Sequence, residues 1–477
     1  MAVLNAELQQ ELDSSDEKTQ FPITILVAGG LPEEPRGGKT RGKLIESMTM
    51  SAEARQAGLV GFLNAHAAAR ILNRSWLTNS ITAVVNAAVL RALLLRKDIE
   101  NIDPPRSAML KELLDSERLA EARFRTTEGM GWGVERIGAP ELWKLGITGR
   151  DVVVAVVDTG VNYQHPDLEG RMWTSRDPTL PYPGYDFLAP DADPMDGDGH
   201  GTKCAGIIAG DGTLGVRTGV APGATIMALK IGEPTTRMHE HVFSKALEFA
   251  ATHGADVVSM SITWRTRPNE PWWRRACEGL EKLQICHATS SGNEGKNGAF
   301  AKPENIGVPG RCPPPWLHPA MPLRAGTSSA VSCGAVDFHG NRSPLSGLGP
   351  VKWDTGEFHD YPYDSSGDPA GLVKPDVCAP GPETPTCNHR LGSGRKYVAF
   401  GGTSAAAAHL AGCMALLAQA TRAYGLEPDP ARIQEALERS AVKFHGQVHD
   451  KENDYGAGRI NVFEAYQYGA GRGWWSH

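Results

Sequence analysis

Four short apolar runs, VVVAVV (152–157), TIMALKI (225–231), DVVSMSI (256–262) and QICHATSS (284–291), constrain this chain more than any other feature. They do not alternate apolar with polar, so each reads as a strand buried on both faces. Segments with helical spacing separate them, HVFSKALEFAATHG (241–254) being the clearest. Strands of this kind alternating with helices imply an α/β fold, a parallel sheet covered by helices on both sides. Two further helices are expected at 404–425 and 430–442, SAAAAHLAGCMALLAQATRAYG and PARIQEALERSAV. Residues 294–400 are rich in Gly and Pro and read largely as loop.

The first run ends in Asp158-Thr159-Gly160, and a second Asp-Thr-Gly follows at Asp354. Two such triplets are what an aspartic protease needs, since two carboxylates there share one proton. The surroundings differ. Asp158 closes a buried parallel strand, and ligands of open α/β sheets bind beyond the carboxyl ends of the strands. Asp354 has no such strand and reads as a loop aspartate. An aspartic protease is also built of two all-β lobes, which the helical segments here exclude.

Further along, DGDGHGTKCAG puts His200 after a glycine turn at the start of a helical run. FGGTSAAAAHLAG puts Ser404 at the start of a long helix, and TSSGNEG puts Asn293 just past a strand end. Each has a plainer explanation on its own: a strand-end cap, a satisfied core histidine, a helix N-cap, a turn residue. Together, in the order Asp, His, Ser, they form a serine-protease triad with a side-chain amide beside it. From Trp132 to about Tyr466 the chain resembles the subtilisin-like (subtilase) family of serine proteases. The resemblance extends to WGVERIGAPELWKLGITGRDVVVAVVDTGVNYQHPDL ahead of the triad and to KPDVCAPG and DYGAGRINV behind it.

The resemblance implies a serine endopeptidase acting on polypeptides through an acyl-enzyme. Ser404 is then the nucleophile, His200 its general base and Asp158 the group that orients and stabilises the imidazolium. Asn293 and the Ser404 backbone N–H hold the oxyanion. Ser261, Ile262, Thr263, Trp264 and Gly292 fall on the segments that line the substrate cleft in the family. Relatives usually carry glycines where Thr263 and Trp264 stand, so Trp264 is expected to narrow the pocket before the scissile bond or to line it. Lys203, Ala405 and Ala408 also depart from the usual residues beside the triad. A degenerate subtilase that binds peptides without cutting them is the alternative, with Trp264 its support.

The chemistry requires no cofactor. Structural calcium is a family feature, and Asp167 in HPDL matches a common ligand; hard oxygens suit that ion. Asp191, Asp193, Asp196 and Asp198 ahead of His200 form either a second calcium loop or an acidic surface loop.

Residues 1–20 are expected to be a disordered acidic tail, and 21–104 a small unit with element order β-α-β-β-α-β, that of a ferredoxin-like fold. The family resemblance makes it a pro-domain that assists folding and then inhibits. Residues 105–131 read as a linker with a helix and an exposed processing loop, RTTEGMG, ahead of the peptidase domain at 132–477. The net charge of −7 gives no reason to expect nucleic acid. The most apolar stretch of the N-terminal unit, ITAVVNAAVLRALLL, is short and carries Asn86 and Arg91, so no membrane span is expected there. The first twenty residues lack the pattern of a secretory signal, which points to the cytoplasm, leaderless export aside. None of the eight cysteines shows zinc spacing, and Cys204, Cys286, Cys333 and Cys413 sit in small or apolar contexts, the usual setting of buried thiols.

Overall fold

The structure is a computed structural model that describes residues 2–32, 40–110, 123–189, 192–295, 300–313, 330–355, 358–361, 371–448 and 450–475. Its centre is a seven-stranded parallel sheet. The strands run in the order Gly184–Asp186, Thr225–Lys230, Val153–Asp158, Val257–Met260, Cys286–Ser290, Val331–Val336 and Val377–Pro380. All four apolar runs are strands of this sheet.

Its burial follows the period of two along each strand. In Val153–Asp158, Val154 and Val156 join one apolar cluster, beneath the helices His200–Ala209 and Gly402–Ala423. Ala155 and Val157 face the other way, into a cluster with the helices Glu240–Thr252 and Glu270–Lys282. Gly402–Ala423 is long and apolar enough to cross a membrane by composition, but it is packed inside the molecule. Its alanines let it lie close against the sheet.

Three strand assignments differ from the sequence reading. Val331–Val336 and Val377–Pro380 lie in the Gly/Pro-rich region expected to be loop, and complete the sheet. Asp354 lies on a short strand, Trp353–Thr355, paired antiparallel with Phe358–Tyr361. That ribbon stands apart from the seven-stranded sheet, so the second Asp-Thr-Gly does not share a sheet with Asp158.

The N-terminal unit has the expected element order. Strands Gln20–Val27, Arg70–Ser75, Ser80–Asn86 and Ile99–Asp103 alternate with helices Arg41–Asn64 and Ala87–Leu93. Every pairing among these four strands is antiparallel, with the first and third strands in the middle. The stretch ITAVVNAAVLRALLL is the third strand followed by the second helix.

The expected acidic tail is structured. Val3–Leu4 adds a fifth strand beside Ile99–Asp103, and Ala6–Asp13 is a helix capped by Asn5, whose side chain accepts from the Glu7 N–H at 3.0 Å. Leu8 and Leu12 lie four apart on one face and are buried in the unit's core, while the acidic residues point outward.

The unit docks on two helices of the larger one. Arg275 donates to the carbonyls of Val27 at 3.0 Å and Thr78 at 3.5 Å, and pairs with Glu100. Arg41 reaches Asp256 at 3.1 Å and the Ala255 carbonyl at 2.8 Å. Glu248 accepts from Ser75 Oγ at 2.7 Å and from the Leu77 N–H at 3.1 Å. Leu26, Met48 and Leu77 enter the same apolar cluster as those helices.

The expected linker helix is contradicted at its start. Ser107–Met109 is a strand paired antiparallel with Arg237–His239, and the Leu110 N–H continues it to the Thr236 carbonyl at 2.8 Å. Ala108 and Leu110 are buried there, which a solvated linker would not allow. The rest of that expected helix, 111–122, lies outside the described residues. The expected exposed loop is a tight hairpin, Thr126–Thr127 with Met130–Gly131, turning on Glu128 and Gly129 at positive φ. It is held down by Arg217, which exchanges hydrogen bonds with Gly129 and Gly131, and by the Arg125–Glu383 pair.

Candidate active site

Asp158 ends the central strand, and its carboxylate accepts from the Thr159 N–H at 2.8 Å. His200 opens its helix because Gly199, at φ 106°, turns the chain left-handed just before it. His200 Nδ1 lies 2.8 Å from one Asp158 oxygen and 3.0 Å from the other, and Nε2 lies 3.1 Å from Ser404 Oγ. With Nδ1 donating to the carboxylate, Nε2 is left to accept the serine hydroxyl. All three side chains are buried.

Burial disfavours the imidazolium, but the facing Asp158 carboxylate outweighs it and holds the His200 pKa well above the ordinary value. Cys204 lies one helical turn on, its Sγ 4.0 Å from His200 Nδ1. Burial pushes that thiol up, so it stays neutral.

Asn293 follows the strand Cys286–Ser290. Its Oδ1 accepts from the Thr403 N–H at 3.0 Å, which fixes the amide and aims Nδ2 across the start of the Ser404 helix. Nδ2 has no hydrogen-bond partner among the described residues. Gly402, at φ +70°, makes room for it: a Cβ there would stand 2.7 Å from Asn293 Nδ2. A fixed, buried donor left open beside a nucleophile is what an oxyanion hole consists of.

Asp196 had an acidic loop or a calcium site as its sequence readings. Its buried carboxylate instead accepts from Thr159 Oγ1 at 2.9 Å, the Gly199 N–H at 2.8 Å, and both the N–H and the hydroxyl of Thr202. It ties the Asp158 turn to the His200 turn. Asp193 and Asp198 likewise cap local turns, through Met195 and His200 N–H groups. Asp191 lies outside the described residues. The Asp-Gly-Asp-Gly run immediately before His200 was the available signal for this latch.

The side chains around Asp167 lend calcium no support. Both oxygens are engaged, by the Leu214 N–H and by Tyr397 Oη, each at 2.8 Å. Its nearest metal-ligating neighbours are His165 and Cys387, a nitrogen and a soft sulfur where calcium takes oxygens.

In the cleft segment, Ser261 Oγ donates to the Ser404 carbonyl at 3.2 Å, and Thr263 Oγ1 lies 3.0 Å from Ser290 Oγ. Ile262 and Trp264 are buried in the apolar cluster with Phe243 and Trp273. The Trp264 indole stacks edgewise on Phe243, and its N–H donates to the Thr266 carbonyl at 3.1 Å. It therefore neither narrows nor lines the pocket, because the alternation along the segment turns it into the core. Thr263 faces Gly292: a Cβ on that glycine would meet the Thr263 methyl at 3.3 Å.

A sequence model of the subtilase family matches residues 149–458, the span that carries all of these groups. The chain belongs to the subtilase family. It is 28% identical to subtilisin NAT of Bacillus subtilis subsp. natto over 346 residues, covering 71% of this chain and 72% of that one. Thermitase of Thermoactinomyces vulgaris is 28% identical over 339 residues, covering 71% of this chain and 96% of its own. The minor extracellular protease Vpr of Bacillus subtilis (strain 168) is 29% identical over 310 residues, but the match spans only 36% of its length. This subtilase is a serine endopeptidase, and the chemistry of its family needs no cofactor.

Proposed function

We infer that this subtilase hydrolyses peptide bonds with Ser404 as nucleophile, and that its N-terminal unit makes it a self-inhibited zymogen. The hydrogen-bonded chain from Asp158 through His200 to Ser404 carries the first half. As Ser404 Oγ attacks a peptide carbonyl, its proton passes to His200 Nε2 and then to the leaving amine. Asp158 stabilises the imidazolium formed in between. The new oxyanion takes up the open Asn293 amide and the N-terminal end of the Gly402–Ala423 helix. Water then repeats the sequence on the acyl-enzyme, and the carboxylic acid leaves.

The arm Ser107–Leu110 supports the second half. It adds a strand to Arg237–His239, the way a bound peptide augments an edge. That edge begins a few residues after Ile231, whose N–H meets the Asp158 carbonyl at 2.9 Å. Leu110 is buried in the same apolar cluster as Met238. A tethered arm in this place competes with substrate at an effective concentration of order millimolar. Structural calcium at Asp167 gains no support from its donor set.

The peptide-binding alternative loses its footing, since Trp264 lies in the core and the triad is assembled. A fluorophosphonate probe tests the reading. Wild type should be labelled on Ser404 and Ser404→Ala should not be; an unlabelled wild type, freed of its N-terminal unit, would favour the binding module.

A further inference from the structure

Asp158 and His200 come from different elements. Asp158 ends the strand Val153–Asp158, and His200 opens the helix His200–Ala209. A strand end and a helix start can shift against each other without either element breaking. The 2.8 Å contact between Asp158 and His200 Nδ1 tolerates little of that, because a hydrogen bond weakens steeply with misalignment. The two turns have to be held in register, and the residue after Asp158 is built into the tie.

Thr159 is buried, and its hydroxyl works in both directions. It donates to Asp196 at 2.9 Å and accepts from the Gly201 N–H at 3.0 Å. Asp196 in turn accepts from the Gly199 N–H at 2.8 Å and the Thr202 N–H at 2.9 Å. The backbone on either side of His200 is thus fastened to the residue that follows Asp158. Bare glycines let the two turns come this close. A Cβ on Gly201 would strike the Gly160 carbonyl, and one on Gly160 would strike the Pro194 carbonyl. Among the described residues, the side chains of Thr159 and Asp196 hydrogen-bond to this framework and not to the imidazole, the Asp158 carboxylate or Ser404. Whatever they do for the reaction passes through the alignment of the groups that perform it.

We propose that Thr159, held by Asp196, is a positioning residue of the triad: its hydroxyl fixes the Asp158 carboxylate against the His200 imidazole and so sets how readily His200 takes the serine proton. This rests on the peptidase reading above. Without the hydroxyl, the Gly201 N–H and the Asp196 carboxylate each lose a buried partner, and the helix start is free to settle away from Asp158. His200 then loses part of the carboxylate's support. The other titratable group against the imidazole, the Cys204 thiol, is neutral and cannot replace it. The cleft residues Ser261 to Trp264 follow a different strand, Val257–Met260, so substrate binding is left as it was.

The test compares Thr159→Val, which keeps the shape and loses the hydroxyl, with Thr159→Ser, which keeps the hydroxyl. Thr159→Val should lower kcat by roughly 10- to 100-fold, the cost of a misplaced catalytic group, with little change in KM. Its acid limb of kcat/KM against pH should move down toward the ordinary imidazole value, because Asp158 supports the imidazolium less. Thr159→Ser should restore both the rate and the limb. An unchanged kcat in Thr159→Val overturns the proposal. So does a fall in kcat that leaves the limb in place, or one that Thr159→Ser shares. If Thr159→Val does not fold, Thr159→Ala, which brings no new atom into the site, is read in the same way. Fluorophosphonate labelling separates the two levels. A labelled wild type with an indifferent Thr159→Val defeats only the role of Thr159, whereas an unlabelled wild type, freed of its N-terminal unit, defeats the peptidase reading beneath it.

Discussion

Asn293 shows how a single residue divides its work. One end of its amide is spent on Thr403, which fixes the geometry, and the other end is left without a described partner. Leaving a buried donor unpaired costs stability, so its return must come in the transition state. Asn293→Ala should therefore lower kcat by about 10²- to 10³-fold with little change in KM, and steady-state kinetics on one peptide checks the split. His200 carries a second expectation. Its base form is the neutral imidazole, and Asp158 holds its pKa above the usual value near 6.5. Below that raised pKa the residue is protonated and cannot take the serine proton. The acid limb of kcat/KM against pH should thus fall above pH 6.5; a limb below that value would show that the carboxylate does not dominate. The triad and Asn293 could be read from the sequence because each sits in a motif set by backbone geometry. The environment of Trp264 could not, since whether a residue at a strand end faces the cleft or the core depends on register.

At the scale of elements, most of the strands that were legible are rich in β-branched residues, VVAVVD and SITAVVN above all. Val331–Val336 and Val377–Pro380 escaped because VSCGAV and VCAP are built of small residues set among glycines and prolines, which carry little β signal. Ser107–Met109 escaped for a different reason: its pairing partner lies more than a hundred residues away, at Arg237–His239, and nothing local announces it. The docked helix Glu240–Thr252 makes a further prediction. Burial against the N-terminal unit pushes Glu248 up from 4.5 to about 7. A carboxyl with a raised folded pKa contributes stability below its unfolded pKa and loses that contribution as pH rises through the folded one. Glu248→Gln keeps a neutral group that can still accept from Ser75 and Leu77. In a Ser404→Ala background it should match its parent in thermal stability near pH 4.5 and exceed it above about pH 7. Equal melting temperatures at both ends would mean that water reaches Glu248 and the carboxylate is not desolvated.

For the whole molecule, the two units share one apolar cluster, and the arm Ser107–Met109 pairs with Arg237–His239 of the larger unit ahead of the hairpin at Thr126–Gly131. The hairpin was the expected place of self-cleavage while it read as an exposed loop. Its hydrogen bonds to Arg217 and the Arg125–Glu383 pair now argue against it, because a protease needs several residues in extended, unpaired form. The arm presents Ser107–Met109 in extended form along Arg237–His239, so the bond to be cut should lie after Leu110 and before the hairpin. Cutting there frees the arm's carboxyl end and turns a tethered competitor into one that can dissociate, so its effective concentration falls with dilution. Intact-mass analysis should find wild type broken in that interval, Ser404→Ala full length, and peptidase activity rising as the N-terminal fragment is lost. A wild-type chain that stays whole while hydrolysing peptides at its full rate would remove the zymogen model and leave the N-terminal unit a permanent part of the enzyme.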